Sequence, residues 1–154
     1  MYNEVLMIVS FCGHACLTDH NSIKDQLRTS LHTLTPNSPI HFYLGGYGDF
    51  DSIAYACCKQ FARSHPGTKL FWISPYVSAT PEKEYDGVIY PGLENVPPKL
   101  AIIKRNEWMM ENANIVIAYI EHSFGGAYKS FCFATRKKKQ IYNLAHPDHP
   151  SISP

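Results

Sequence analysis

The chain has 154 residues, a formal net charge of +1 and 45% hydrophobic residues, which suits one globular domain with a sizeable core. The near-neutral charge, with a single short basic run at 136–139, argues against an extended nucleic-acid surface. No apolar stretch reaches the roughly 20 residues of a membrane span, and the apolar run 5–11 lacks the flanks of a signal peptide, so we expect a cytoplasmic protein without a membrane partner.

Strand-length apolar runs alternate with segments of helical period along the chain. This alternation predicts an α/β fold in which helices cover a mostly parallel sheet of about five strands. The predicted order is strand Glu4–Phe11, helix Ser22–Leu34, strand Ile40–Leu44, helix Ser52–Ser64, strand Lys69–Ser74, helix Leu100–Asn112, strand Ile115–Ile120, helix Ala127–Lys137 and strand Gln140–Leu144.

The segment between Pro75 and Pro98 is rich in Pro, Gly, Tyr and Glu and shows no clear period. A loop of that length is uncommon in a compact domain unless it is functional or mobile, and its tyrosines could form a lid over a base. The tail after Ala145 is predicted to be irregular. No repeat or linker divides the sequence, so residues 1–154 are expected to form one domain.

Cysteine usage is the next constraint on function. The five cysteines lack Cys-x-x-Cys spacing, which predicts reduced thiols rather than a disulfide framework or a zinc site. No His, Cys and Asp cluster has ligand spacing either, so we expect no metal and no cofactor. These cysteines are Cys12, Cys16, Cys57, Cys58 and Cys132.

A glycine-rich segment at 44–51 (LGGYGDFD) follows a predicted strand and opens a helix. Gly45, Gly46 and Gly48 would let backbone N–H groups approach an anion, which the positive end of the following helix favours. Asp49 is placed to accept hydrogen bonds from a ribose or base, and Asp51 could cap the helix. The alternative is a tight turn with an N-cap, but the strand-to-helix setting favours a ligand site.

A second glycine-rich segment occupies 119–126 (YIEHSFGG), again between a strand and a helix. Ser123 can donate to a phosphate, and the N–H groups of Gly125 and Gly126 would point at the same anion. Glu121 and His122 are candidate acids or bases, although solvated side chains are the alternative at a strand end. Because strands of a parallel sheet end at one edge, the two segments together predict an anion cradle.

A helical segment at 104–108 (KRNEW) carries three more candidates. Arg105 offers a planar fork suited to phosphate, Asn106 can pair with a ribose or base edge, and Glu107 could orient either residue or act as a base. The alternative is an ordinary solvated helix face with Trp108 in the core.

The turn after the first strand, 11–15 (FCGHA), adds Gly13 and His14. Gly13 permits a tight turn, and His14 titrates near neutral pH. A ligand contact and a loop histidine without a role are equally compatible with this pattern. Cys12 has no visible activating partner, so a nucleophilic cysteine is not expected.

Four motifs, at 12–14, 42–51, 104–109 and 123–127, occur in an order that resembles the SLOG superfamily of small bacterial and phage proteins. The superfamily also contains the LOG phosphoribohydrolases and the DNA-processing protein DprA. The resemblance extends from the first strand to Leu144. It implies a Rossmann-like three-layer fold, the binding of nucleotides or nucleotide-derived signals, and frequent pairing through helices into homo-oligomers.

The resemblance also implies roles for particular residues. It places the 45–48 glycines on one side of a pocket and Ser123, Gly125 and Gly126 on the phosphate side. Arg105 and Asn106 fall where LOG enzymes have an Arg-Lys pair. LOG enzymes continue as Pro-Gly-Gly-x-Gly-Thr-x-x-Glu, whereas here Ala127 follows the glycines and the catalytic glutamate is missing. Lys129 would add a positive charge instead.

Three hypotheses for function follow. The first is a sensor or sequestering module that binds an ADP-ribose-like molecule or nucleoside phosphate in a bacterium or phage. The second is an N-glycosidic-bond enzyme, either a phosphoribohydrolase or a deoxyribosyltransferase, in which Glu107 or Glu121 replaces the missing glutamate. The third is a structural interaction protein that uses the aromatic residues of the 75–98 loop.

Self-association is expected through the predicted helix Leu100–Asn112. Its apolar residues lie on more than one face, and they are Ile102, Ile103, Trp108 and Met109.

Overall fold

The computed structural model describes residues 6–34 and 39–146, which form a six-stranded, all-parallel sheet with helices on both faces. In chain order the elements are β1 Met7–Gly13, α1 His20–Thr33, β2 Ile40–Leu44, α2 Gly48–Ser64, β3 Lys69–Ile73, β4 Gly87–Ile89, α3 Ala101–Glu111, β5 Ile115–Tyr119, α4 Gly126–Arg136 and β6 Gln140–Asn143. A short 3₁₀ turn, Pro98–Leu100, precedes α3. The predicted Rossmann-like α/β class is confirmed.

The strand order is β4-β3-β2-β1-β5-β6, so the sheet grows in one direction from β1 to β4 and then in the other from β5 to β6. Val9 of β1 is accordingly paired with Phe42 of β2 on one side and Ile115 of β5 on the other. A parallel sheet has its ligand crevice at the carboxyl ends of the strands where the order reverses. The loops that follow β1 and β5 meet at that point.

Each face of the sheet carries one hydrophobic core. Buried residues of α1 and α2, among them Leu27 and Phe50, pack on one face. Met109 and Met110 of α3 and Ala134 of α4 pack on the other face. Strands that are buried on both sides need nearly continuous apolar runs, which explains why the strands could be located in the sequence.

Strand β1 ends at Gly13 instead of Phe11, and two helix starts differ from the predicted ones by two residues or more. Helix α2 begins at Gly48 instead of Ser52, because residues 48–51, which were predicted as a turn, form the first turn of the helix. The side chain of Phe50 in this turn is completely buried. Helix α1 begins at His20 instead of Ser22, and Asp19 caps it by accepting a hydrogen bond of 3.3 Å from the Ser22 N–H. The predicted start of the first strand at Glu4 and most of the tail lie outside the described residues.

The segment between Pro75 and Pro98, which was predicted to be a loop, contains one additional strand, β4. Residues 87–89 pair in parallel with residues 71–73 of β3. Asp86 holds the segment in place, since its Oδ2 accepts a hydrogen bond of 2.7 Å from the Leu70 N–H. Three residues with an exposed Val88 at the centre are too short to show a period, so the prediction of about five strands missed this edge strand.

Candidate functional site

A cavity of approximately 390 Å³ lies at the carboxyl edge of the sheet, where the ends of β1 and β2 and the loop before α4 meet α3. It brings together residues from all four motifs of the sequence analysis. The predicted site residues that line it are Gly13, His14, Gly45, Arg105, Asn106, Gly125 and Gly126.

The other predicted site residues lie elsewhere. Gly46, Gly48 and Asp49 line a neighbouring cavity of approximately 420 Å³, and Glu107 and Lys129 line a groove of approximately 280 Å³ between α3 and α4. Ser123 and Glu121 line none of these three cavities formed by the described residues.

The two proposed catalytic glutamates have partners outside the central cavity. The Glu107 carboxylate pairs with the Lys104 ammonium at 3.5 Å on the surface of α3. The exposed Glu121 carboxylate accepts a hydrogen bond of 2.9 Å from the Tyr119 hydroxyl. Their catalytic roles stay predictions, and the geometry gives neither of them a place against a ligand in the central cavity.

The glycines at 45–48 allow close packing around the start of α2. A Cβ on Gly48, whose φ is +90°, would lie 2.7 Å from the Ala15 Cα. A Cβ on Gly46 would lie 2.8 Å from the Trp72 Nε1. Gly13 is enclosed in the same way, since a Cβ there would lie 2.2 Å from the Phe50 ring. Side chains are therefore excluded here by neighbouring protein atoms.

The N-terminus of α2 is occupied by the protein's own carboxylates. Asp51 Oδ2 accepts a hydrogen bond of 3.0 Å from the Tyr47 N–H. Asp49 Oδ2 accepts one of 2.9 Å from the Leu17 N–H and lies 3.2 Å from His20 Nε2. Two acidic residues in a first helical turn satisfy the positive end of the helix dipole, so this helix start has little to offer an external anion.

The N-terminus of α4 has the opposite character. Its first turn contains no acidic residue, and its N-cap residue, Gly125, has no side chain that could cap the helix. Apart from the adjoining residues and the backbone of α4 itself, no described atom lies within 4 Å of a Cβ built on Gly125 or Gly126. Gly125 has φ +92° and ψ 173°, a conformation almost restricted to glycine. The space beside these two Cα atoms is open, and the first N–H groups of α4, which have no intrahelical partners, are suited to an anion.

Arg105 places a buried positive charge in the cavity wall. Its side chain is 4% exposed, and its Nη1 donates to the carbonyl oxygens of Gly45 at 3.1 Å and Ile73 at 2.7 Å. Its Nε donates to Asn106 Oδ1 at 2.8 Å. Burial lowers the pKa of the guanidinium and the nearby Asp51 carboxylate opposes that shift, but arginine keeps its charge at neutral pH. Arg105 thus clamps the ends of β2 and β3 beside the cavity.

Asp51 is a carboxyl group of the cavity wall that the sequence analysis described only as a helix cap. Burial raises its pKa to about 6, against the opposing effects of the Tyr47 N–H and the Arg105 charge. A Cβ on Gly45 would lie 3.2 Å from Asp51 Oδ2 and 3.4 Å from Arg105 Cζ, so the two ionisable groups flank Gly45. The Asp51 carboxyl group is therefore protonated more easily than an ordinary aspartate side chain.

His14 fixes the loop that leads into α4. The residue is 6% exposed, and its Nε2 accepts hydrogen bonds from the backbone N–H groups of Glu121 at 2.9 Å and His122 at 3.4 Å. An acceptor at Nε2 requires a neutral ring with its proton on Nδ1. Burial and the charge of His122 lower the pKa of His14, and Glu121 opposes them. The neutral form that these hydrogen bonds require is therefore favoured.

Among the cavity-wall residues that were not predicted as ligand contacts, three are ring-bearing residues of the two glycine-rich segments. His122 was proposed only as an acid or base, and Phe124 and Tyr47 were given no role, yet all three line the cavity. The sequence signal that could have found them is their position inside the two glycine-rich segments, next to the glycines that were selected.

Cys12 also lines the cavity, and burial raises the pKa of its thiol well above the ordinary value. A thiol in this state is a poor nucleophile. All five cysteines are free thiols. Within residues 6–34 and 39–146, no group of three or more His, Cys, Asp or Glu side chains could hold a metal ion. Over the same ranges, none of the helices has the length and apolar character to cross a membrane.

No protein-family model and no curated protein sequence matches the chain significantly. Solved structures do match it over most of its length. The structural-genomics target TM1055 has 16% identity and a TM-score of 0.56, over 88% of this chain and 72% of that one. The molybdenum cofactor binding protein of the phototrophic bacterium Rippkaea orientalis has 18% identity and a TM-score of 0.56, over 90% and 76%.

Two further structures have the same fold. The Moco carrier protein of Chlamydomonas reinhardtii has 14% identity and a TM-score of 0.55, over 92% of this chain and 77% of that one. DNA processing protein A of Helicobacter pylori, described as binding single-stranded DNA, has 16% identity and a TM-score of 0.51, over 88% and 63%. The chain therefore has the Rossmann-like α/β fold of these proteins.

Proposed function

We propose that this protein is a SLOG-type binding module that holds a phosphate-bearing, nucleotide-derived small molecule in the central cavity, with a phosphate at the N-terminus of α4. The observation that carries the proposal is the open, uncapped start of α4 in a cavity that is also lined by the buried Arg105. Helix N-termini of this kind bind phosphate through backbone N–H groups and the helix dipole.

The rest of the cavity suits a small molecule with a sugar or base. A volume of approximately 390 Å³ falls in the usual range for ligand sites of about 300–1,000 Å³. Because Asn106 Oδ1 accepts a hydrogen bond from Arg105 Nε, the side chain offers its NH₂ group to ligand acceptors. Arg105 therefore orients the Asn106 NH₂ group and also contributes a positive charge to the cavity wall.

A role in binding agrees better than catalysis with the two glutamates. Glu107 and Glu121 lie outside the central cavity, and the glutamate of the LOG motif has no counterpart after Gly126. We therefore propose a cytoplasmic sensor or sequestering protein that reports or removes a nucleotide signal in a bacterium or phage.

Native mass spectrometry of protein purified from its host, followed by denaturation and identification of released molecules, tests this proposal directly. An intact adenine nucleotide or ADP-ribose-like compound is the expected result. Calorimetric titration with ADP-ribose and AMP then gives the affinity. Finding no bound phosphate compound, and no affinity for either probe, would contradict the proposal.

An N-glycosidic-bond enzyme is the second candidate, and Asp51 is the observation that favours it. A carboxyl group whose pKa is raised to about 6 in the cavity wall can exchange a proton at neutral pH. The test is release of free base from AMP, followed by chromatography, for the wild type and for Asp51→Asn, Glu107→Gln and Glu121→Gln. Turnover that only Asp51→Asn abolishes would establish the enzyme and give its acid or base.

The ligand need not be an adenine nucleotide. Two of the matched structures are described as binding or carrying the molybdenum cofactor, which is itself a phosphate-bearing fused heterocycle. The fused heterocycle of that cofactor is a pterin, which the same mass-spectrometric experiment identifies by its mass and absorbance. The experiment therefore separates this ligand class from the nucleotides.

Self-association is also part of the proposal. Leu100, Ile102 and Ile103 at the start of α3 are 39%, 48% and 43% exposed, while Trp108 and Met109 pack inward, with Trp108 stacked on Tyr43 at 5.7 Å between ring centroids. Light scattering coupled to size-exclusion chromatography measures the oligomeric state. The double variant Ile102→Asp, Ile103→Asp is expected to be monomeric if this surface is the interface.

A further inference from the structure

Three aromatic rings stack in sequence at the wall of the central cavity. His14 lies against His122 with ring centroids 3.6 Å apart and an angle of 10° between planes. His122 lies against Phe124 at 3.8 Å and 20°. The stack begins at a buried residue and ends at Phe124, which is 68% exposed. Since one face of the Phe124 ring is covered by His122, the exposed surface is its other face and its edge.

Such exposure is energetically unfavourable for an isolated phenylalanine. The glycine-rich loop before α2 also carries an exposed aromatic residue. Tyr47, which lies between the glycines of the 45–48 segment, is 77% exposed and lines the same cavity. Two exposed aromatic rings thus stand on two different loops at one cavity. Neither ring is required by the packing of the two cores, which contain neither Tyr47 nor Phe124.

A third observation concerns the middle ring of the stack. His122 Nδ1 is buried and has no hydrogen-bond partner among the residues that the structure describes. Buried ring nitrogens are nearly always hydrogen-bonded, because leaving one unpaired is unfavourable. The nitrogen belongs to the middle ring of the stack and to a residue of the cavity wall.

We propose that Phe124 and Tyr47 form a stacking subsite for a planar heteroaromatic ring of the purine type, in which the ligand ring extends the His14–His122–Phe124 stack. The inference rests on the proposed phosphate site and names the part of the ligand that lies beyond it. Base-aromatic stacking tolerates any ring with a π-face, so this subsite selects a flat heterocycle over a sugar phosphate without specifying one base.

Calorimetric titration with three probes separates this subsite from the phosphate site. AMP carries both ring and phosphate, ribose 5-phosphate lacks the ring, and adenosine lacks the phosphate. The variants are Phe124→Ala, Phe124→Trp as the variant that retains a stacking ring, and Tyr142→Ala as a control that removes another exposed aromatic residue. His122→Phe keeps a ring in the stack and removes its nitrogens.

The expected result is that Phe124→Ala weakens AMP binding about tenfold, within the range measured for loss of one stacked base, and changes ribose 5-phosphate binding less than twofold. Phe124→Trp and Tyr142→Ala should bind AMP as the wild type does. If the wild type binds AMP and ribose 5-phosphate equally, or if Phe124→Ala weakens both alike, the stacking subsite is wrong and the phosphate site stands. If adenosine binds as tightly as AMP, the phosphate site is wrong and the subsite stands. Binding of none of the three probes contradicts both.

Discussion

The two glycine-rich loops, one before α2 and one before α4, look alike in sequence and differ in structure. Each joins a buried strand to a helix through a glycine pair. Before α2, side chains at Gly46 and Gly48 would collide with Trp72 and Ala15, whereas before α4 a Cβ at Gly125 or Gly126 would meet no described atom within 4 Å apart from adjoining residues and the backbone of α4. Glycine in the first loop serves close packing, and in the second it leaves backbone N–H groups accessible.

The residues that follow the glycines show the same difference in charge. Asp49 and Asp51 lie in the first turn of α2, and no acidic residue lies in the first turn of α4. Carboxylates at a helix N-terminus occupy the position that a bound anion would take. A glycine pair followed by acidic residues is therefore weaker evidence for a phosphate site than one followed by neutral or basic residues.

The largest expected effect separates the two loops by stability. Gly48→Ala combines a positive φ with a backbone contact of 2.7 Å, and each of these costs on the order of 1–3 kcal/mol. We expect Gly48→Ala to lower the free energy of unfolding by about 3 kcal/mol, and Gly126→Ala to change it by no more than about 0.5 kcal/mol. Urea denaturation of both variants provides the measurement. Equal losses of stability would show that the α4 loop is packed as tightly as the α2 loop.

Arg105→Met tests whether the hydrogen bonds of Arg105 stabilise the glycine-rich loop before α2. The substitution keeps an unbranched apolar side chain but leaves the carbonyl oxygens of Gly45 and Ile73 without the Arg105 donors. Each unpaired buried acceptor costs on the order of 1–3 kcal/mol, so we expect a loss of about 2–3 kcal/mol in urea denaturation. Lys104→Met, next to it on the surface of α3, is the matched control and should be within about 0.5 kcal/mol of the wild type. A fully stable Arg105→Met protein would mean that the clamp contributes nothing to the fold.

Gly126→Asp tests the α4 loop through binding. A carboxylate at the first position of α4 should leave the stability unchanged or slightly higher, because it interacts favourably with the helix dipole. It should weaken binding of ADP-ribose about tenfold or more by repelling the phosphate and competing for the same N–H groups. Asp49→Asn, at the start of α2, is the control and should not change that affinity. An unchanged affinity for Gly126→Asp, measured by calorimetry, would place the phosphate elsewhere.

Most strands and helices could be predicted because their burial leaves a local signal. Residues 40–44 form β2 with the predicted bounds, and β3 and β5 each end one residue before the predicted position. Strand β4 could not be predicted from the sequence in the same way. Its partner β3 and the hydrogen bond from Leu70 to Asp86 hold it in place, so its stability comes from tertiary contacts rather than from its own pattern.

The candidate site, too, could be predicted only in part from the sequence. That the two glycine-rich segments and the 11–15 turn meet at one sheet edge follows from the parallel sheet that the alternating pattern predicts. That His14 accepts hydrogen bonds from residues 121 and 122, and stacks on His122, joins parts of the chain more than 100 residues apart. No local spacing encodes such contacts. Likewise, Arg105 could be recognised as a cation but not as the clamp of two carbonyl groups.

The smallest expected effect concerns the charge of Asp51, which lies at the start of α2 and faces the cavity. Its pKa is raised to about 6 in the folded protein from an ordinary value of 3.8, so the folded state binds a proton more tightly than the unfolded state between about pH 4 and pH 6. This group therefore adds stability as the pH falls through 6, and its ionised form lowers stability above pH 6.

Asp51→Asn removes the ionised form while keeping an acceptor for the Tyr47 N–H. We expect the variant to be more stable than the wild type by about 1 kcal/mol at pH 8, with the difference shrinking towards zero by about pH 4. Urea denaturation at pH 8, 6 and 4.5 measures it, and Asp49→Asn, whose carboxylate is half-exposed, is the comparison. If Asp51→Asn is instead less stable at pH 8 than at pH 4.5 relative to the wild type, attraction to Arg105 exceeds the effect of burial, and α2 begins with a stabilising charge pair rather than a strained carboxylate.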